Sequence, residues 1–214
     1  MATYDQKLEP IEPAAERPAS AQVSSTPWGN SAPLALIAFA VTTFMISMVN
    51  ANAVNVGTEG FVFGVALMFG GLTQLIAGII ELRNGKTFGG VLFAGWGAFW
   101  LAVFAISEFE LKGTPTAQVG HGFGLLYYTF GIFAAVMLLT ALRSTIATCL
   151  ALALLTATLY VLGAGNYAGK VGLVHIAGVM GIILAGVAFY IALAELCEVS
   201  YGREILPVGH LAKS

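Results

Sequence analysis

This chain of 214 residues is 58% hydrophobic and 9% charged, with a net charge of −2 and two cysteines. So little positive charge excludes a nucleic-acid partner, and Cys149 and Cys197 are too few for a disulfide framework or a metal centre. A water-soluble core is excluded as well, because a wet face needs a charge every few residues and long stretches here have none.

Residues 1–29 hold Asp5, Glu9, Glu12 and Glu16 with Pro10, Pro13, Pro18 and Pro27 among Ala and Ser. Such a segment buries too little apolar surface to offset ordering entropy, so a disordered, acidic, Pro-rich tail is expected. It lacks the basic start and apolar stretch of a secretory signal, so no cleavage is expected.

Six uncharged runs follow, at 33–58, 60–80, 87–107, 113–142, 144–169 and 171–194, each of 21 to 30 residues. About 20 apolar residues at 1.5 Å rise cover a hydrocarbon core of roughly 30 Å. The fold class is therefore all-α and integral to a membrane. One domain over residues 30–199 carries six transmembrane helices in one bundle, and residues 200–214 form a short tail. A spanning β-barrel would show segments of alternating polarity, which are absent.

With six spans both termini share one side. That side holds Lys7, Arg17, Arg83, Lys86, Arg143, Arg203 and Lys213, against Lys112 and Lys170 on the other. Seven against two places both termini in the cytoplasm.

Helix faces come next. Asn30 or Ser31 suits the cap of the first helix, and Pro33 its first turn. Phe39, Thr43, Ser47 and Asn50 fall on one stripe, as do Gly71, Gln74, Gly78 and Glu81 on the second helix. The sixth helix shows His175, Gly178, Gly181, Ala185, Ala188, Ala192 and Glu195 at spacings of three and four. Small residues spaced in this way make either a helix–helix seam or the wall of a passage. Glu81 and Glu195 lie near the helix ends, where they are expected to reach headgroups or water. Gln74, Asn50, Asn166 and His175 need polar partners inside a membrane and are candidate site residues. No carboxylate pair, metal-ligand cluster or activated nucleophile points to an enzyme, a metal or a cofactor.

Several segments carry a resemblance. They are Asn30-Ser31-Ala32-Pro33-Leu34-Ala35-Leu36, Phe69-Gly70-Gly71-Leu72-Thr73-Gln74, Gly85-Lys86-Thr87-Phe88-Gly89 and Gly97-Ala98-Phe99-Trp100. Later ones are Gly165-Asn166-Tyr167-Ala168-Gly169, His175-Ile176-Ala177-Gly178 and Tyr201-Gly202-Arg203-Glu204-Ile205-Leu206-Pro207. Together they span residues 30–209 and resemble the acetate uptake transporter family, the bacterial succinate–acetate permeases. The resemblance implies a homohexamer with one pathway per protomer, and transport of acetate and sometimes succinate. It also implies a hydrophobic constriction, which falls on Phe39, Trp96 and Leu155. Counted from the helix starts these lie roughly 9, 13 and 16 Å deep, near one level.

Ser31 stands where the family has Pro, so a looser entry to the first helix is expected. Trp96 stands where it has Tyr, so the gate is expected to be narrower, and succinate less favoured than acetate.

The function expected is transport of acetate and related short monocarboxylates, as an anion channel or by proton symport. Substrate contacts are expected from Asn50, Asn166 and His175 outside the ring and from Thr42, Thr43 and Gln74 below it. Gly71, Gly178 and Ala188 are the expected pathway wall. The alternatives are an ammonium or other small-solute channel, or a non-conducting sensor or scaffold.

Overall fold

The computed structural model describes residues 28–111 and 113–211. Among these there is no strand, and six helices are long and apolar enough to cross a membrane. They are α1 (Ala32–Asn50), α2 (Val56–Arg83), α3 (Thr87–Glu110), α4 (Thr116–Ala141), α5 (Ile146–Tyr167) and α6 (Val171–Tyr201). The tail expected over residues 1–29 lies outside the described residues except for Trp28 and Gly29. These two pack on the end of α2: Arg83 lies 5.1 Å from the Trp28 ring, and the Trp28 N–H donates to Asn84 Oδ1 at 3.0 Å.

Successive helices are neighbours, and α1 packs against α6 to close an up-and-down ring. Small residues set the close approaches. A Cβ on Gly78 would run into the Ala94 backbone of α3, and one on Gly178 into Asn50 at the end of α1 and Ala51 just beyond it. The α3–α4 side is different, because large rings fill it. Trp96 lies 5.7 Å from Phe130 and 5.6 Å from Phe133, centroid to centroid.

The helix ends deviate from the uncharged runs for local reasons. The first run ends early, at Asn50, because Asn52 takes a left-handed conformation (φ 57°) and turns the chain. Glu59 lies inside the first turns of α2, where a carboxylate complements the helix dipole. At the other end α6 continues past Glu195 and Glu198 to Tyr201, where Gly202 (φ 66°) stops it.

Two helices are not α throughout. Residues Ala66–Thr73 of α2 and Ile106–Glu110 of α3 are π-helical. The Thr73 hydroxyl donates five residues back, to the Met68 carbonyl. Gln74 resumes the α-helix at the end of this wide segment.

The chain beyond α6 returns to the start of α5. Ile146 and Ala147 N–H donate to the Gly209 and Val208 carbonyls, and Leu211 N–H to Ser144. The Tyr190 hydroxyl holds the same strap by donating to Pro207 O at 2.7 Å. First-turn N–H groups of a helix have no partner within it, so this strap serves as a backbone cap.

Candidate functional site

Two cavities lie inside the helix ring. The near one, about 430 Å³, opens at the end that bears residues 28–31 and the strap. The far one measures about 320 Å³ and takes side chains from all six helices. Four residues line both: Phe39 of α1, Trp96 of α3, Leu155 of α5 and Leu184 of α6. All four are at least nine-tenths buried, and the Phe39 and Trp96 rings meet edge-on with centroids 6.1 Å apart. Trp96 is backed by Phe99, Phe130 and Phe133, so the aromatic wall behind it is solid.

The three residues that the resemblance assigns to a constriction thus all line both cavities. Leu184 lines both cavities as well, and the sequence did not single it out. It does have a signal, because it lies on the face of Ala188, Ile191 and Glu195 and is the large apolar residue at its inner end.

The other candidate residues divide. Gln74 lines the near chamber, is 1% exposed, and its Oε1 has no hydrogen-bond partner. Ala188 lines the same chamber. Asn50, Asn166 and Thr43 line the far one. Thr43 was expected beside Gln74 but lies on the other side of the ring, one turn beyond Phe39 toward Asn50. One Asn166 amide hydrogen already goes to the Leu162 carbonyl at 2.9 Å.

Thr42, His175, Gly71 and Gly178 line neither chamber. Thr42 turns about 100° away from Thr43, packs on Gly70 and donates to the Ala38 carbonyl at 2.9 Å. Gly71 lies against Leu101 of α3 and Gly178 against α1, so both serve helix seams. His175 is half-buried one turn from the start of α6.

The mouth of the near chamber holds its charge. Glu81, expected to reach water, is 2% exposed. The Ser31 hydroxyl lies 2.9 Å from Glu81 Oε1 and 2.9 Å from the Ala77 carbonyl, and Lys86 Nζ lies 3.8 Å from Glu81 Oε2. Lys86 also donates to Asn30 Oδ1 at 3.2 Å, and Asn30 Nδ2 to Glu195 Oε2 at 3.4 Å. The Asn30 side chain caps α1 by accepting from Ala32 N–H. Ser31 therefore ties the start of α1 to α2 instead of loosening it. Among the described residues no cluster could hold a metal ion.

A closed ring of membrane helices around two chambers, parted by one apolar layer, is the architecture of a membrane transport protein. The chain matches the GPR1/FUN34/yaaH family over residues 14–213, and it belongs to that family.

The succinate-acetate/proton symporter SatP of Escherichia coli strain K12 is 30% identical to it over 187 residues, 87% of this chain and 98% of that protein. Acetate permease A of Emericella nidulans is 35% identical, covering 88% of this chain and 68% of the permease. Ammonia transport outward protein 2 of Saccharomyces cerevisiae is 35% identical over 79% of this chain and 62% of its own length. The solved structure of the bacterial acetate channel SatP superposes with a TM-score of 0.79 at 30% identity, covering 85% of this chain and 99% of that one. The resemblance drawn from the motifs is thereby shown, and the protein is a multi-pass membrane protein.

Proposed function

We propose that the protein carries acetate and related short monocarboxylates across the membrane, one pathway per protomer, and does no catalysis. The observation that carries this is the apolar layer of Phe39, Trp96, Leu155 and Leu184 shared by two cavities. Such a layer suits a solute with one methyl and one carboxylate: the methyl slides past the rings, and the carboxylate needs donors on either side. Gln74 is the donor in the near chamber, and Asn50, Thr43 and Asn166 serve the far one. The names of the bacterial and Emericella relatives support the substrate class. The excess of basic residues at the end where it opens supports a cytoplasmic near chamber, with both termini on the same side. The working assembly is a ring of six.

Uptake of radiolabelled acetate by purified protein in liposomes tests this. Saturable uptake that propionate inhibits and chloride does not is expected; no uptake above protein-free liposomes overturns it. The yeast relative named for ammonia favours a second reading, tested by the same liposomes with labelled methylammonium.

A further inference from the structure

Trp96, Trp100, Val103 and Ser107 are spaced four, three and four along α3, and all four line the far chamber. Three of them bear a covered polar atom with no hydrogen-bond partner: Trp96 Nε1, Trp100 Nε1 and Ser107 Oγ. Thr43 Oγ1, from α1 in the same chamber, is a fourth. Trp96 and Trp100 are 2% and 5% exposed, so neither indole can turn to lipid headgroups or bulk water. Buried donors left unpaired are costly and uncommon, and four around one cavity, three of them on a single helix face, call for a partner.

The other polar groups of this chamber differ in kind. Thr158 already donates to the Leu154 carbonyl, and Asn166 to Leu162. Ser47, Asn50, Glu59 and Tyr127 complete the polar lining. Glu59 stands in the first turn of α2, and Ser107 near the last turn of α3. An indole nitrogen can only donate. The two inner positions therefore match a ligand that only accepts, such as a carboxylate, and mismatch ammonium.

We propose that this face of α3 is a ladder of donors for the permeant carboxylate. Ser107 is its outer rung, Trp100 its middle rung and Trp96 its last, at the constriction, with Thr43 opposite. Helix rise separates the rungs by roughly 10 Å and then 6 Å. A carboxylate takes each inner rung as the covering side chains shift, and Trp96 carries the ladder into the ring. This inference rests on the transport reading above.

The tryptophans are few enough to watch one by one, since Trp28, Trp96 and Trp100 are the three in the chain. The intact protein, labelled with 5-fluorotryptophan in lipid nanodiscs, is titrated with acetate and followed by fluorine NMR. Trp96 and Trp100 resonances should shift saturably, Trp28 should not, and neither chloride nor acetamide should reproduce the shift. In liposomes Trp100→Phe should raise the half-saturating acetate concentration roughly ten-fold, with a smaller effect on maximum flux. Ser107→Ala, which leaves the aromatic wall intact, should act in the same direction more weakly. Unmoved Trp96 and Trp100 resonances in a preparation that takes up acetate overturn the ladder and leave transport standing. No uptake and no shift overturn both.

Discussion

Leu184 and Gln74 both line the near chamber and fail differently when changed. Leu184 is 1% exposed, and its truncation to Ala should cost about 2–5 kcal/mol of stability. It would also remove one of the four side chains that part the chambers. Uptake of lactate or succinate relative to acetate should rise in Leu184→Ala, measured beside its melting temperature in detergent. An unchanged ratio in folded protein would count against the ring. Gln74→Leu should behave the opposite way in stability. Its buried Oε1 has no partner, so an apolar replacement of similar size should hold or raise the melting temperature. Acetate affinity should nevertheless fall by about ten-fold at most, since a donor is lost. A variant that loses both stability and affinity would instead assign Gln74 to helix packing. The near-common depth of Phe39, Trp96 and Leu155 could be read from the sequence because depth in a membrane helix is simple counting. Leu184 could not be singled out in that way, since a leucine in an apolar helix carries no mark until its neighbours on the same face are known to line a cavity.

At the level of helices, charge placement revealed all six spans, because hydrocarbon tolerates charge only at its borders. The small-residue stripe of α6 was legible as a pattern but not in meaning. Gly178 and Gly181 meet α1, while Ala188 and Glu195 face the near chamber, and spacing alone does not separate a seam from a wall. The π-helical stretch of α2 was not foreseen, since its sequence has no breaker beyond two glycines. The seams give a paired test. Gly78→Val should destabilise by about 1–3 kcal/mol through overpacking against Ala94, whereas Gly64→Ala, which meets nothing within 4 Å, should be neutral or better. Thermal unfolding in detergent checks both. The strap makes a further element-scale prediction. Removing residues 204–214 strips the N–H caps from Ile146 and Ala147, so the melting temperature should drop, and synthetic strap peptide should partly restore it.

For the molecule as a whole, the expected assembly is six copies of a 22.3 kDa chain, and native mass spectrometry in mild detergent should find that multiple. A stable monomer that transports acetate would remove the need for a ring of six but keep the pathway. Deleting residues 2–26 should leave assembly and flux intact, because the cut ends before Trp28 and its contacts with Arg83 and Asn84. A lost oligomer or a large gain in flux would show that the tail packs or plugs. The single six-helix bundle was expected from the sequence, but its two chambers were not visible there. They depend on which helix faces which, and a single sequence records faces without their partners.

The thinness of the layer between the chambers has an electrical consequence. Cavities that fill with water and counter-ions conduct far better than the side chains between them, so most of a transmembrane voltage would fall across the one layer of Phe39, Trp96, Leu155 and Leu184. Moving one elementary charge through the full potential is worth about 2.3 kcal/mol per 100 mV. An acetate anion would meet nearly all of that work in a single step at Trp96, whereas undissociated acetic acid would meet none. Flux that steepens with applied potential would therefore mark the charged species as the one that crosses.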